Sequence, residues 1–516
     1  MKKLIILSCC LLLAACSLDE DPRDQITDKV AYRTATDVYR NAVATLYTYI
    51  GGSADGEGLQ GTCRGIYDLQ TFGSDEAMLP TRGTDWYDGG IWQQMYCHSW
   101  DPGHELLKRS WLYLYKVITL CNRSLKVIAD HGQLLSQSQR DEYTAEVRAI
   151  RAMYYWYLLD LFGNVPLITA TDESLQDLTT SPRRTVFRFV VDELQSALPM
   201  LRNANSVQQG DDYGRVTIPV ALFVLAKLML NAEVYTGTPM WEETIAYCDF
   251  IENFGFTLHP DYEANFAIHN ESSCENIFTI PMDKGLFSSQ QQNIFRSLHY
   301  RHAAAYGFSG ENGTCATKKV LDVFGYDSRE IDVRFYYNYW WGTLTDLNGD
   351  TILDRVGRPL VYYPREVKLD LSGSPYVETA GARMKKYEVD KNAIMDGKLM
   401  ENDIVLFRYA DVLLMRAEAK LRLGLDGQDD FNAVRRRVGM PLRPLTLDNL
   451  LDERLMELCW EGWRRQDLIR FGKYKTLYTG ETDEPIIDES DGHTTLFPIP
   501  ADVMTQIPGL EQNPGY

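Results

Sequence analysis

The sequence predicts a mainly α protein, its helices in a tetratricopeptide-like array with long loops and short β insertions forming the ligand face. Three observations carry this reading. Residues 37–255 and 403–516 hold several long runs with apolar residues at helical spacing. Small residues such as Ala226 and Ala232 fall where neighbouring helices would meet. Between these regions, 256–402 turns to short β-type runs, prolines and aromatic clusters. The repeat is too irregular for spacing alone to establish it. Residues 37–516 are expected to form one compact body.

The elements follow in order. From Asp37, Val38, Ala42, Leu46 and Ile50 share one helical face, and Gly51-Gly52 stops the run. A loop rich in Gly, Asp and aromatic residues extends to about Pro102. Helices are then expected over 105–130 and 138–162, the second ended by Gly163-Asn164 ahead of Pro166. Residues 185–201, 219–235 and 241–254 continue the array. Helical periodicity returns at Asp403 and stops at Gly424. A short helix covers 428–437, a long one 446–471, and the tail to Tyr516 is extended or turn-like.

Residues 1–15 read as a secretory leader: Lys2 and Lys3, an apolar run from Leu4 to Leu13, then small residues. The run is too short to span a bilayer as a helix. Leu13-Ala14-Ala15-Cys16 resembles a bacterial lipobox, in which cleavage precedes a cysteine that carries acyl chains. Each buried methylene adds about 0.8 kcal/mol of membrane affinity, so several chains on Cys16 anchor durably. Residues 16–36 then form a tether that begins with the acidic patch Asp19-Glu20-Asp21. That patch resembles the export signal that sends lipoproteins of Bacteroidetes-type bacteria to the outer face of the outer membrane. The expected location is the outer membrane, lipid-anchored and facing the cell surface.

The formal net charge is −20, and loss of Lys2 and Lys3 makes the mature chain two charges more negative. Such a chain repels phosphate, so a nucleic-acid partner is excluded. Three of the ten cysteines belong to leader and anchor. The remaining seven are scattered without a CxxC pair, and most read as buried small hydrophobes.

Several blocks occur in a set order behind the lipobox. They are Ser74-Asp75-Glu76, Pro80 to Gly90, Tyr409 to Ala419, Arg435 to Pro441, Glu453 to Gly472 and the closing Gln512 to Tyr516. Together they resemble the SusD/RagB family of outer-membrane nutrient-binding lipoproteins over nearly the whole chain. The resemblance implies a non-catalytic protein that captures oligosaccharide and works with a SusC-like TonB-dependent outer-membrane transporter. It implies no cofactor. Some members of the family capture peptides, which stands as an alternative. A surface glycoside hydrolase is the alternative of another class, and it needs two carboxylates facing across a cleft. A purely structural helical scaffold is a third.

Charged residues of the C-terminal blocks read as ion pairs between helices rather than acids and bases. Glu457 with Glu461 and Arg464 with Asp467 have helical i,i+4 and i,i+3 spacing, and Arg416 and Glu418 lie on an otherwise apolar helix. Gly56 to Gly61 satisfies GxGxxG but follows a loop rather than a strand, and Gly307 to Glu311 misses GxSxG. His299 and His302 have no partner at metal-ligand spacing and read as partly exposed loop residues. Asp346, Asn348, Asp350 and Asp354 occupy calcium-loop positions, yet Thr351 and Gly357 replace the glycine and the bidentate glutamate. Asn348-Gly349 is itself a hairpin turn signal, and the hairpin is the favoured reading.

The aromatic residues point to a ligand. Trp86, Tyr87, Trp92, Tyr96 and Trp100 form one cluster, and Tyr336, Tyr337, Tyr339, Trp340 and Trp341 another. A pyranose ring stacks its C–H face on indole while its hydroxyls bond to acids, amides and arginine. Trp86, Trp92, Trp340 and Trp341 are therefore the expected stacking residues. Arg82, Asp85 and Asp88 are the expected hydroxyl partners, with Asn338 placed among the second cluster. Of the adjacent Trp340 and Trp341, one is expected to face the ligand and the other to pack inward.

The anchor reading has a direct consequence. Cys16→Ser is expected to move the protein into a soluble periplasmic fraction. Retention on membranes after high-salt and carbonate washing would show that acylation is not what holds it.

Overall fold

The computed structural model describes residues 31–204, 210–474 and 491–516. The leader, Cys16 and the patch Asp19 to Asp21 lie outside the described residues. The fold is mainly α and tetratricopeptide-like. Its longest helices are α1 (Glu105–Asp130) and α2 (Gln137–Leu161), joined by a short turn. The α1 apolar stripe Leu107, Trp111, Leu114, Ile118 and Cys121 is buried, as a 3.6-residue period requires. A reciprocal capping box between Ser136 and Gln139 starts α2, and from Ala149 onward that helix is buried all round. The array continues with α3 (Arg183–Ala197), α4 (Ile218–Leu230) and α5 (Trp241–Glu252). Helix α1 packs on α2, α2 on α3, and α4 on α5.

The segment ahead of α1 is helical over 35–51, with a π-helical turn at Tyr39–Ala44, and Val38, Ala42, Leu46 and Ile50 are buried as expected. Gly52 ends it at φ +71°, where a Cβ would stand 2.5 Å from the backbone of Glu57 and Gly58. The run 219–235 breaks at Asn231, whose side chain bonds back to the Lys227 carbonyl and accepts from Arg470.

The C-terminal region departs from the sequence reading twice. Residues Ile404–Arg408 are not helical but a strand, antiparallel to Asn276–Ile280, and α6 (Tyr409–Arg422) begins only after it. Every residue of both strands is buried, and a continuous apolar run carries no period to distinguish strand from helix. The expected helix 446–471 is two helices, α8 (Leu447–Leu458) and α9 (Arg464–Arg470); α7 (Gln428–Arg437) precedes them. Between them Trp460 and Gly462 take φ of +65° and +76°. The buried Glu76 carboxylate receives the Trp460 N–H there, and burial pushes that carboxyl up to about 7.

The break reassigns the ion pairs. Arg464 grips Asp75 at 2.6 and 2.9 Å, not Asp467. Asp467 instead takes Arg454 and Arg470, both at 2.8 Å. Glu457 and Glu461 meet on Arg408, at 2.7 and 2.8 Å, and Glu275 joins them at 2.7 Å. Arg437 also binds Glu275 and Glu457, while Lys386 binds Glu461. Burial opposes ionisation of Glu457, but Arg437, Arg408 and Arg334 hold its carboxyl well below the usual range. These pairs do lock elements together, across tertiary contacts rather than along one helix.

Region 256–402 is built from short helices and two-stranded ribbons, among them Tyr339–Trp340 with Arg383–Met384 and Gly342–Thr343 with Val361–Tyr362. Its apolar residues Leu344, Ile352, Leu360 and Tyr362 make a satellite core beneath Trp340. Five of the seven described cysteines are buried, and no disulfide joins any of them among the described residues. Among the described residues no helix is long and apolar enough to cross a membrane.

Arg408→Met is expected to cost about 3–5 kcal/mol, because three buried carboxylates lose their common cation. A denaturant midpoint measured on the variant checks this, and an unchanged midpoint would contradict it.

Candidate functional site

The loop 80–90 is held at its base and twisted at its tip. Thr81 pairs with the backbone of Leu369 and Leu371 at 2.9 Å, and Arg82 and Asp85 bond to each other's backbone around Gly83. Beyond this turn, Trp86, Asp88, Gly89 and Gly90 all have positive φ. For Trp86 and Asp88 that conformation costs free energy, so the surroundings must enforce it. The Trp86 indole N–H donates to the Glu311 carbonyl at 2.8 Å. Its ring lies against Gly313, where a Cβ would come within 2.8 Å of it. Trp92 meets Trp86 edge-on at 6.2 Å and donates its own N–H to Asp88 at 2.8 Å. Arg64 completes the clasp, 2.7 Å from Asp88 and 5.4 Å above the Trp92 ring. Trp86 is left half-buried in one fixed orientation, beside Tyr87, which is 59 % exposed.

Polar groups flank this platform. Asp85 is exposed and accepts from the Tyr300 hydroxyl at 2.7 Å. Burial and then Asp85 itself push the Tyr300 phenol up, so it remains a donor. Tyr300 opens the short helix Tyr300–Ala305, and no periodicity in the sequence marks it. Only the tertiary fold brings it to Asp85.

Two expected site residues lie inside the protein. Trp92 is 1 % exposed and supports Trp86 from beneath rather than presenting a face. Arg82, 5 % exposed, donates to the carbonyls of Val377 and Ala380 at 2.9 Å, and burial lowers it to about 9. It ties the loop to 377–380 and does not reach the surface. Asn338 is likewise internal, bonded to Tyr262 at 3.0 Å and the Arg334 carbonyl at 2.7 Å. Tyr96 and Trp100 are buried as well, Trp100 donating to the Tyr516 hydroxyl.

The second cluster divides. Trp341 is walled by Tyr326, Phe335 and Tyr336. Trp340 lines a groove of about 540 Å³ with Tyr306, Leu347, Glu388, Lys391 and Asp261. Its edge rests on His302 and its ring centroid is 6.1 Å from that of Tyr306. His299 and His302 are buried, contrary to expectation, and burial lowers them to about 4 and 3. Neutral His302 bonds to Tyr362 at 3.1 Å and serves as packing between the aromatic clusters.

The acidic loop forms a pair of tight turns. Asp346 accepts the N–H groups of Asn348 and Asp350 at 2.8 and 2.9 Å. Asp354 does the same for Val356 and Arg358, both at 2.9 Å. Thr345 pairs antiparallel with Thr351 across the first turn, the hairpin expected at Asn348-Gly349. Among the described residues no three His, Cys, Asp or Glu side chains gather as a metal site.

The seat of Trp86 makes a specific prediction. Gly313→Ala is expected to displace the indole, changing near-ultraviolet circular dichroism while costing about 1–3 kcal/mol of stability. An unaltered aromatic spectrum would show that the ring is not held there.

Comparison with known proteins places this geometry. The sequence model of the SusD family matches residues 274–516, and one described as starch-binding and associating with the outer membrane matches 70–203. The starch-binding protein SusD of Bacteroides thetaiotaomicron is 24 % identical over 506 residues, covering 90 % of this chain and 89 % of that protein. A solved laminarin-binding SusD-like protein superposes with a TM-score of 0.72 at 22 % identity, covering 94 % of this chain and all of the other. Surface glycan-binding protein A of Bacteroides thetaiotaomicron, solved with laminarihexaose, reaches 0.74 at 19 % identity over 93 % of this chain and 100 % of that one. With SusD-type family models matching residues 70–203 and 274–516 and the same fold in space, this chain belongs to the SusD/RagB family.

Proposed function

We propose that this protein is a non-catalytic, lipid-anchored surface protein that binds oligosaccharide and passes it to a SusC-like TonB-dependent outer-membrane transporter. The observation that carries the reading is the Trp86 platform. An indole held in one orientation by Glu311, Gly313 and Trp92 presents a flat apolar face without an ordering cost on binding. Asp85, which keeps lone pairs beyond its bond from Tyr300, and the Tyr300 hydroxyl oxygen offer acceptors for hydroxyl groups beside it. That pairing of a stacking face with directional polar groups suits a sugar ring. Tyr87, the next residue, is exposed, and Asp88 is bound to Arg64 and Trp92. Relatives whose names record starch and laminarin binding support the same ligand class.

Binding and hand-over need no bond to be made or broken. Two acids of the Trp86 loop are engaged, Asp85 by Tyr300 and Asp88 by Arg64, an arrangement that favours recognition over acid–base work. The lipobox and the acidic patch after Cys16 support placement at the outer face of the outer membrane, where a transporter partner would take the ligand.

The test combines a glycan array with calorimetry on the selected oligosaccharide. Trp86→Ala is expected to weaken binding about ten-fold, the loss of one stacked ring, with the melting temperature nearly unchanged. Incubation of the wild type with that oligosaccharide is expected to release no shorter products. Unchanged affinity in the variant, or turnover by the wild type, would overturn the proposal.

A further inference from the structure

The helical array carries a groove of its own, built from none of the residues of the Trp86 platform or of the Trp340 groove. It lies between α3 and α5, has a volume of about 340 Å³, and includes buried Phe187 and Met229 in its lining. Along α3 the stripe Arg184, Arg188, Val191, Gln195 faces it at i, i+4, i+7 and i+11, the period of one helical face. Glu243 and Tyr247 face it from α5. At the head of α3, Arg183 donates to the Val234 carbonyl at 3.3 Å. At the far end of the stripe the Gln195 amide donates to the Tyr247 hydroxyl at 2.9 Å and joins the two walls. From Arg184 to Gln195 the stripe runs about 16 Å, at 1.5 Å per residue.

The α3 wall is cationic. Arg184 and Arg188 are exposed, and among the described residues neither guanidinium meets a carboxylate. Nearby Arg148 and Arg151 differ, since Glu193 of α3 holds both, at 2.7 and 2.6 Å. Arg184 and Arg188 are one turn apart, about 6 Å along the axis. Alternate side chains of an extended peptide recur at nearly the same interval, about 6.6 Å. Carboxylates at its first and third positions therefore match the two guanidinium groups, each of which can grip a carboxylate with two parallel N–H bonds. The fifth position falls about 13 Å along, between Val191 and the Gln195–Tyr247 bridge, where an apolar side chain leaves water. Glu243, the one acid among the described lining residues, confines a ligand's acids to the α3 wall. The chain's net charge of −20 does not forbid this. Distant acids are screened over about 8 Å at physiological salt, whereas a contact pair in a groove is screened much less.

We infer that this groove docks an extended acidic segment of a partner protein, with alternate acids on Arg184 and Arg188 and an apolar residue beside Val191. The site does not depend on the carbohydrate reading.

Fluorescence polarisation on the full-length protein tests it with a labelled, end-blocked pentapeptide. The probe has glutamate at positions one and three, leucine at five and glycine between. It is expected to bind at least ten-fold more tightly than its glutamine counterpart, and less tightly as salt is added. Arg184→Gln with Arg188→Gln is expected to remove that preference and leave the melting temperature unchanged, as both side chains are exposed. Arg184→Glu with Arg188→Glu is expected to reverse it, in favour of the lysine counterpart. Equal binding of the glutamate and glutamine peptides, or a preference that survives the arginine changes, overturns the inference. Absence of binding at about 1 mM glutamate peptide does the same. A dimer in sedimentation velocity that Arg184→Gln with Arg188→Gln dissociates also overturns it, since a second copy then fills the groove.

Discussion

Burying charge is the constraint around which this structure is arranged. Arg408 has no exposed surface, and a guanidinium taken out of water must be surrounded by acceptors or the fold fails. Its acceptors come from Glu275 at the head of one strand, Glu457 at the end of α8, and Glu461 in the break before α9. Arg334 extends the network to Glu453 and Asp332, so the helix leading to Tyr339 and Trp340 is tied to the same centre. A second set, Lys227 with Asp411 and Arg454 with Asp411 and Asp467, joins α4, α6, α8 and α9. One centre thus positions both the helical array and the base of the groove.

The irregular region uses the same chemistry in a different way. Loops without regular ladders leave carbonyl groups that need donors when buried. Arg82 supplies them at Val377 and Ala380, and Arg383 at Gly313 and Ser297, with a further bond to Asn312. Arg296 grips Asp68 with two bonds of 2.7 and 2.8 Å beside these loops. The arginines that brace the loops also hold Gly313, the seat of the Trp86 ring. Rigidity at the platform is therefore a product of the buried arginines beneath it.

Much of the frame was legible because helix formation is local. The bounds of α1 and α7 and the buried face Val38, Ala42, Leu46, Ile50 follow from spacing, and Gly51-Gly52 stops its helix where expected. The strand Ile404–Arg408 was not, since five successive buried residues have no period. The break at Cys459 to Trp463 carried one signal in the sequence, Gly462, lost between helical patterns on both sides; Glu76 and the packing of Trp460 hold it. At the site, Trp86 and Asp85 stood out as residue types, whereas burial reversed the roles of Arg82, Trp92 and Asn338.

By itself the sequence determined the class of fold, the reading of the acidic and basic residues as structural pairs, and the presence of an aromatic cluster at 86–100, where the expected loop in fact contains the helix Ile91–Tyr96. These depend on spacing and composition, which short-range physics reads directly. Tertiary structure alone decided which carboxylate meets which arginine, that Tyr300 joins Asp85, and that Trp340 opens on a groove while Arg82 turns inward. Those outcomes depend on contacts between residues tens to hundreds of positions apart. The reach of a long side chain is set by what is packed around it, not by its neighbours along the chain.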